Sequence, residues 1–320
     1  MNSSYEEFRN SVLRMVQEYY GNEAWVMVDK LKKLNRPDQE GLSILIKGKN
    51  VCPVIYLNNY YDEWNCGKSI EAIAADIIEV YKKHCNDMQE FDMEAFRDYQ
   101  KVEGHLFCRL VNYENNRGLL KELPHIRFHD LALVYFYASD DITDFEMKIT
   151  VKNDFLEMWH ITKEQLHQRA LQNTRNRMDF QLTSIKSVIE DLISMKPEVP
   201  HGSEDSDSMG ISEVISRIDE DNGPSIYVLS NQQLMYGAVG VFFDEVLRMA
   251  SNRLQEDFYV LPSSIHECLI VPVEGFKDLG AEYLKEVVQF VNENYVNPAE
   301  ILGDCVYRYD CSEEKLSIVA

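Results

Sequence analysis

Two apolar runs separated by a short polar turn constrain this chain more than any other segment. They are strand-like at 258–262 and 267–272, and the turn between them reads Pro262-Ser-Ser-Ile-His-Glu267. Alternating apolar runs joined by proline and serine predict an antiparallel hairpin, with the serine hydroxyls bonding the backbone of the turn. Helical spacing flanks the pair. Val246, Leu247, Met249, Ala250 and Leu254 form a stripe before it, and Leu284, Val287, Val288 and Val291 form another after it. With strands at 226–229 and 305–309, and a further strand-like run over 237–243, residues 225–320 read as a ββαββαβ lobe.

The N-terminal part shows the same mixture. Phe8, Val12, Met15, Val16 and Tyr19 recur at helical spacing, and strands are expected at 24–28, 41–47 and 53–57. A helix follows over 69–84, then a strand from Glu103 to Leu110. Leu131-Ala-Leu-Val-Tyr-Phe-Tyr137 is apolar throughout, which marks a central strand buried on both faces. Thr162 is placed to cap a helix ending near Asn173 and Thr174, with Glu164 and Gln165 in its first turn. Between about 190 and 224 the chain collects glycine, proline and the acidic run Ser203-Glu-Asp-Ser-Asp-Ser208, the composition of a linker. The expected fold is α+β: two mixed α/β lobes with mostly antiparallel sheets flanked by helices. The lobes are 1–189 and 225–320, joined by an acidic linker at 190–224.

Charge and cysteine usage narrow the functional classes. Asp and Glu number 54 against 32 Lys and Arg, a formal net charge of −22. Such a field repels phosphate backbones and anionic lipid, so neither direct nucleic-acid binding nor a membrane partner is expected. A partner protein with a basic surface is the complementary expectation. The seven cysteines form no C-x-x-C pair, so no disulfide framework and no zinc site is indicated. The N-terminus lacks the pattern of a signal peptide, which leads to an expectation of a cytoplasmic protein.

Chemistry-bearing constellations are few. His125 and His129 lie four apart, beside Asp130, Arg127 and Arg117. The glutamate of a His-Glu-x-x-His zinc site is missing, and Pro124 with the strand after it opposes a continuous helix, so no metal is expected. His266 follows Ser263 and Ser264, yet a serine this close in sequence to its base seldom reaches it in a tight turn. Phosphate-cradling glycine loops are absent from the sequence, and no cofactor is expected.

Several segments together resemble one family. They are Leu110-Val-Asn-Tyr-Glu-Asn-Asn-Arg117, Leu123-Pro-His-Ile-Arg-Phe-His-Asp-Leu-Ala132, Trp159-His-Ile-Thr-Lys-Glu-Gln-Leu-His167, Tyr227-Val-Leu-Ser-Asn231 and Tyr259-Val-Leu-Pro-Ser-Ser-Ile-His-Glu267. In this order they are similar to an uncharacterised bacterial family, domain of unknown function 5688, and the resemblance runs nearly full length. It implies a cytoplasmic protein of anaerobic Gram-positive bacteria, often encoded near mobile elements. It implies no activity and carries over no site residues. Two functions therefore stand as expectations. The first is a non-enzymatic interaction module whose acidic surface binds a basic protein. The alternative is a hydrolase whose catalytic candidates are His125, His129, Asp130 and His266, with Arg117 and Arg127 binding substrate.

Overall fold

The structure, a computed structural model, describes residues 3–35, 39–85, 91–138, 148–187 and 226–320. The chain divides into two compact units, Met1–Arg97 and Asp98–Ala320.

In the first unit, helix α1 (Ser3–Tyr20) buries Phe8, Val12 and Val16, one face at helical spacing. Strands β1 (Ala24–Leu31), β2 (Gln39–Ile46) and β3 (Val54–Tyr56) form an antiparallel sheet in that order. Helices α2 (Asn58–Asn65), α3 (Ile70–Cys85) and the short α4 (Met93–Arg97) follow. Strand alternation sends Ala24, Leu42, Ile44 and Ile55 into a core shared with α1 and with Ile73, Ala74, Ile77 and Tyr81 of α3. Gln17 fastens the end of α1 to β1: its amide nitrogen donates to the carbonyls of Gly21 and Ala24, and its oxygen accepts from the Val26 amide.

The second unit opens with α5 (Tyr99–Val102) and, among the described residues, holds two sheets. Strands β4 (Leu106–Asn112), β5 (His125–Phe128), β6 (Leu131–Ala138) and β7 (Lys148–Thr150) make a four-stranded sheet centred on β6. As the sequence predicts, β6 is buried on both faces. Helices α6 (Asn153–Trp159) and α7 (Lys163–Arg177) come next, and Thr162 with Gln165 completes a capping box at the start of α7. That helix does not end at Asn173 and Thr174. It runs on to Arg177 because both side chains have partners outside it. Asn173 donates to the carbonyls of Glu103 and Leu106, and the buried Thr174 hydroxyl accepts from the Cys108 amide.

The second sheet has six strands, in the order β13-β12-β10-β11-β9-β8, all paired antiparallel. Its members are β8 (Phe180–Ser184), β9 (Tyr227–Asn231), β10 (Phe258–Leu261), β11 (Cys268–Pro272), β12 (Tyr307–Asp310) and β13 (Lys315–Ile318). Among the described residues, the helices of this part are α8 (Asp244–Leu254), α9 (Val273–Phe276) and α10 (Gly280–Asn294). All strand pairings among the described residues are antiparallel, and the α+β class holds.

Two expectations change. Strand β8 pairs with β9 from Phe180↔Asn231 to Ser184↔Tyr227, so the chain on either side of 190–224 contributes neighbouring strands to one sheet. The acidic segment 203–208 itself lies outside the described residues. The observed division falls at Arg97, because the first three-stranded sheet closes its own core with α1 and α3. The apolar run 237–243, read as strand, is a buried 3-10 helix over Gly237–Phe242. Tyr236 enters it with φ 56°, which turns the chain away from an extended path.

Candidate functional site

The β10–β11 hairpin is where sequence and structure agree most closely, with Phe258↔Pro272 and Leu261↔Leu269 in register. Its turn is pinned from outside. The Ile265 amide donates to the Glu300 carbonyl, and the Leu302 amide donates to the Ser263 carbonyl. Ser264 Oγ accepts from the His266 amide at 3.0 Å, so this hydroxyl serves the turn backbone.

Beside the turn lies a pocket of about 320 Å³ lined by Leu234, Ser264, His266, Glu267, Tyr295, Val296, Asn297 and Glu300. The His266 ring stacks on Tyr236 at 5.6 Å and 13°, and its Nδ1 accepts from the Tyr236 amide at 3.3 Å. A neutral imidazole that accepts at Nδ1 carries its proton on Nε2, and Nε2 stands 4.0 Å from Glu300 Oε1. Burial lowers the His266 pKa. Glu300 opposes that shift, while Lys148 and Arg109 reinforce it. Burial raises the Glu267 carboxyl, which the Ser264 hydroxyl counteracts and Glu300 supports. A histidine whose one lone pair is held by a backbone amide has no basic nitrogen left to take a proton from a substrate. The arrangement presents donors and acceptors to a ligand. It does not assemble a nucleophile with its base.

Behind the His266–Tyr236 pair sit two cations that sequence reasoning missed. Arg109 projects from β4, with its guanidinium carbon 4.9 Å from the Tyr236 ring centre and 5.8 Å from that of Phe136. Its Nε is buried and has no hydrogen-bond partner among the described residues. Burial lowers its pKa, and the neighbouring Tyr236 opposes that. Lys148 of β7 lies 4.9 Å from the same ring. A lone charge inside the apolar run Leu106–Val111 was the available signal for Arg109, whereas nothing local marked Lys148 or Tyr236.

The other candidates are dispersed. Arg117 is exposed and paired with Glu114 at 3.8 Å. His125 opens β5, its Nδ1 2.9 Å from the Leu123 carbonyl. Exposed Arg127 lies over the Tyr113 ring at 4.4 Å and donates to the His129 carbonyl. His129 and Asp130 form the turn between β5 and β6, with His129 at φ 56°. The Asp130 carboxylate accepts from the Tyr307 hydroxyl of β12, joining the edge of one sheet to the other. Among the described residues no hydrogen bond or ion pair joins the side chains of Arg117, His125, His129, Asp130 and His266 to one another. No group of His, Cys, Asp and Glu among them could hold a metal ion.

Asp130 thus has a structural partner. Replacing Tyr307 with phenylalanine leaves its carboxylate without that donor, and a hydrogen bond to a charged group contributes about 1.5–3 kcal/mol. Urea unfolding of the Tyr307→Phe variant is expected to show a loss of that order, and a loss below about 0.5 kcal/mol would remove the assignment.

The family model described as a family of unknown function, DUF5688, matches residues 5–311. The chain belongs to this family. The DUF5688 match takes in both compact units, including β1–β3 and α10 as well as the signature hairpin. No curated protein and no solved structure matched the chain. Among the described residues of this DUF5688 member, no helix is long and apolar enough to cross a membrane.

Proposed function

We propose that this protein works by binding a basic partner protein through its second unit. The observation that carries the reading is a set of carboxylates left without cationic partners around the pocket and the adjoining helix. Glu282, Glu286 and Glu293 of α10 make no ion pair among the described residues, and Glu267 lies in the pocket beside Glu300. Other acids of this unit are matched, as in Arg175–Glu245, Arg248–Glu314 and Arg308–Asp257. At a net charge of −22 the long-range field speeds encounter with a positive surface and discourages anionic ligands. His266, whose Nδ1 lone pair is taken by the Tyr236 amide, supports binding over catalysis. A cytoplasmic location and carriage on a mobile element belong to the same proposal.

The test is affinity capture on the immobilised full chain at roughly 0.1 M and roughly 0.5 M salt, where screening separates electrostatic from apolar binding. Recovery of a discrete basic protein at low salt, and its loss at high salt, is the expected result. Capture of only acidic or neutral proteins, or of none that respond to salt, would overturn the reading.

A further inference from the structure

Helix α10 carries apolar residues on two sides. Leu284 and Val288 are buried in the core with Tyr259, Leu261, Val271 and Val306. On the solvent side Tyr283, Val287 and Phe290 are 46%, 37% and 55% exposed, spaced as one helical face. Leu279 before the helix and Tyr295 after it are 51% and 49% exposed and extend the row. Within the helix the row from Tyr283 to Phe290 spans about 10 Å at the rise of an α-helix. Isolated exposed apolar residues are ordinary, but a continuous row on one helix face marks a contact surface. Sequence periodicity assigned Val287 to the interior, and the structure turns it outward.

The surroundings of the row specify its occupant. Glu282 and Glu286 flank it and Glu293 lies near its end, all exposed. At the other limit Tyr295, in edge contact with Phe290 at 6.1 Å, is also a wall of the pocket that holds Glu267 and Glu300. The apolar row therefore runs directly into an acidic recess. We infer that α10 docks a basic amphipathic helix of another protein, whose apolar residues seat on Tyr283, Val287, Phe290 and Tyr295 while one lysine or arginine enters the pocket at Glu267 and Glu300. The inference rests on the interaction reading above and gives it a surface and a partner chemistry. A second copy of this chain is the poorer occupant, because it would bring another −22 of charge against the same acidic rim. Helix-on-helix packing uses a row of this spacing, and a cation held in the acidic pocket supplies register.

The probe is a fluorescently labelled helical peptide of about 18 leucine and lysine residues with one apolar face, long enough to cover the row. Its control is a scrambled isomer of the same composition without that face. Anisotropy titrations against the full chain at roughly 0.1 M salt are expected to show the amphipathic isomer binding at least about tenfold tighter. A Tyr283→Ser/Phe290→Ser double variant, which leaves the net charge unchanged, is expected to lose about tenfold in affinity for it. Glu267→Gln/Glu300→Gln is expected to lose about threefold, with a shallower salt dependence. Circular dichroism checks that the variants fold. Should the double serine variant fail to fold, Glu282→Lys/Glu286→Lys at exposed positions replaces it, with a loss beyond about tenfold expected. Equal binding of the two peptides, or undiminished binding by the double serine variant, overturns the docking site and leaves the interaction reading standing. A failure of both peptides to bind likewise overturns the docking site, and the salt-dependent capture decides the interaction reading separately. A dimer of the wild-type chain that the double serine variant dissociates would assign the row to self-association and sink the inference.

Discussion

Alanine at Gly237 is expected to destabilise the second unit by about 3 kcal/mol, at the upper end of the usual cost of overfilling a packed core. A Cβ built on Gly237 falls against Ser230 Oγ, 2.7 Å from Ser230 Cα and 2.7 Å from the His266 carbonyl oxygen. Two of these three atoms belong to backbone. Ser230 stands on β9 and His266 in the turn before β11, so neither can withdraw without disturbing β9–β11 pairing. The Ser230 hydroxyl donates to that same His266 carbonyl at 2.8 Å, a bond the intruding methyl would displace. Gly104 supplies the control: nothing lies within 4 Å of its Cβ position, and Gly104→Ala is expected to change stability by less than about 0.5 kcal/mol. Urea unfolding of the two variants checks the pair. Equal effects at the two positions would show that the close approach at Gly237 does not bear on stability. A folded Gly237→Ala protein would also serve the binding question, since the turn that carries His266 and Glu267 must shift to admit the methyl group.

The contrast between these glycines shows which features the sequence could disclose. The Phe258–Pro272 hairpin was legible because its period, its proline and its serines all act within fifteen residues, and the pairing that results is local. Central strand β6 was legible because burial on both faces leaves an unbroken apolar run. The run at 237–243 was not, since a short apolar stretch fits a buried strand and a buried 3-10 helix equally well. The turn-rich segment at 190–224 reads as a boundary between lobes because composition reports solvation and says nothing of which strands pair across it. Only the ladder of β8 on β9 carries that information. The candidate site divides in the same way. His266 was named from its own neighbourhood. Its stacking partner Tyr236 and the cations Arg109 and Lys148 come from three separate elements, and only the fold brings them together. Asp130 was named for chemistry and is engaged instead by Tyr307, 177 residues further along the chain.

Loss of the Phe8 ring is expected to have the largest effect in the first unit, about 3–5 kcal/mol for a fully buried phenylalanine cut to alanine. Phe8 is 0% exposed and stands among three aromatic neighbours. The Tyr61 ring is 5.4 Å away edge-on, Trp64 lies at 5.6 Å and Tyr5 at 6.1 Å. Tyr61 and Trp64 belong to α2, so this one side chain joins the first helix to the helix that follows the sheet. The cavity left by Phe8→Ala cannot collapse easily, because Leu42 and Ile44 on the sheet side are themselves fully buried in the same core. Aromatic contacts in edge-on geometry add to the loss beyond area alone. The distribution of the damage carries as much information as its size. A unit that closes its own core at Arg97 should lose hydrogen-exchange protection over α1, β1–β3 and α3 while protection in β4, β6 and β10–β12 persists. Protection lost evenly through both units would show one cooperative body and refute the division. A destabilisation below about 1 kcal/mol would mean that the aromatic cluster does not hold α1 to α2.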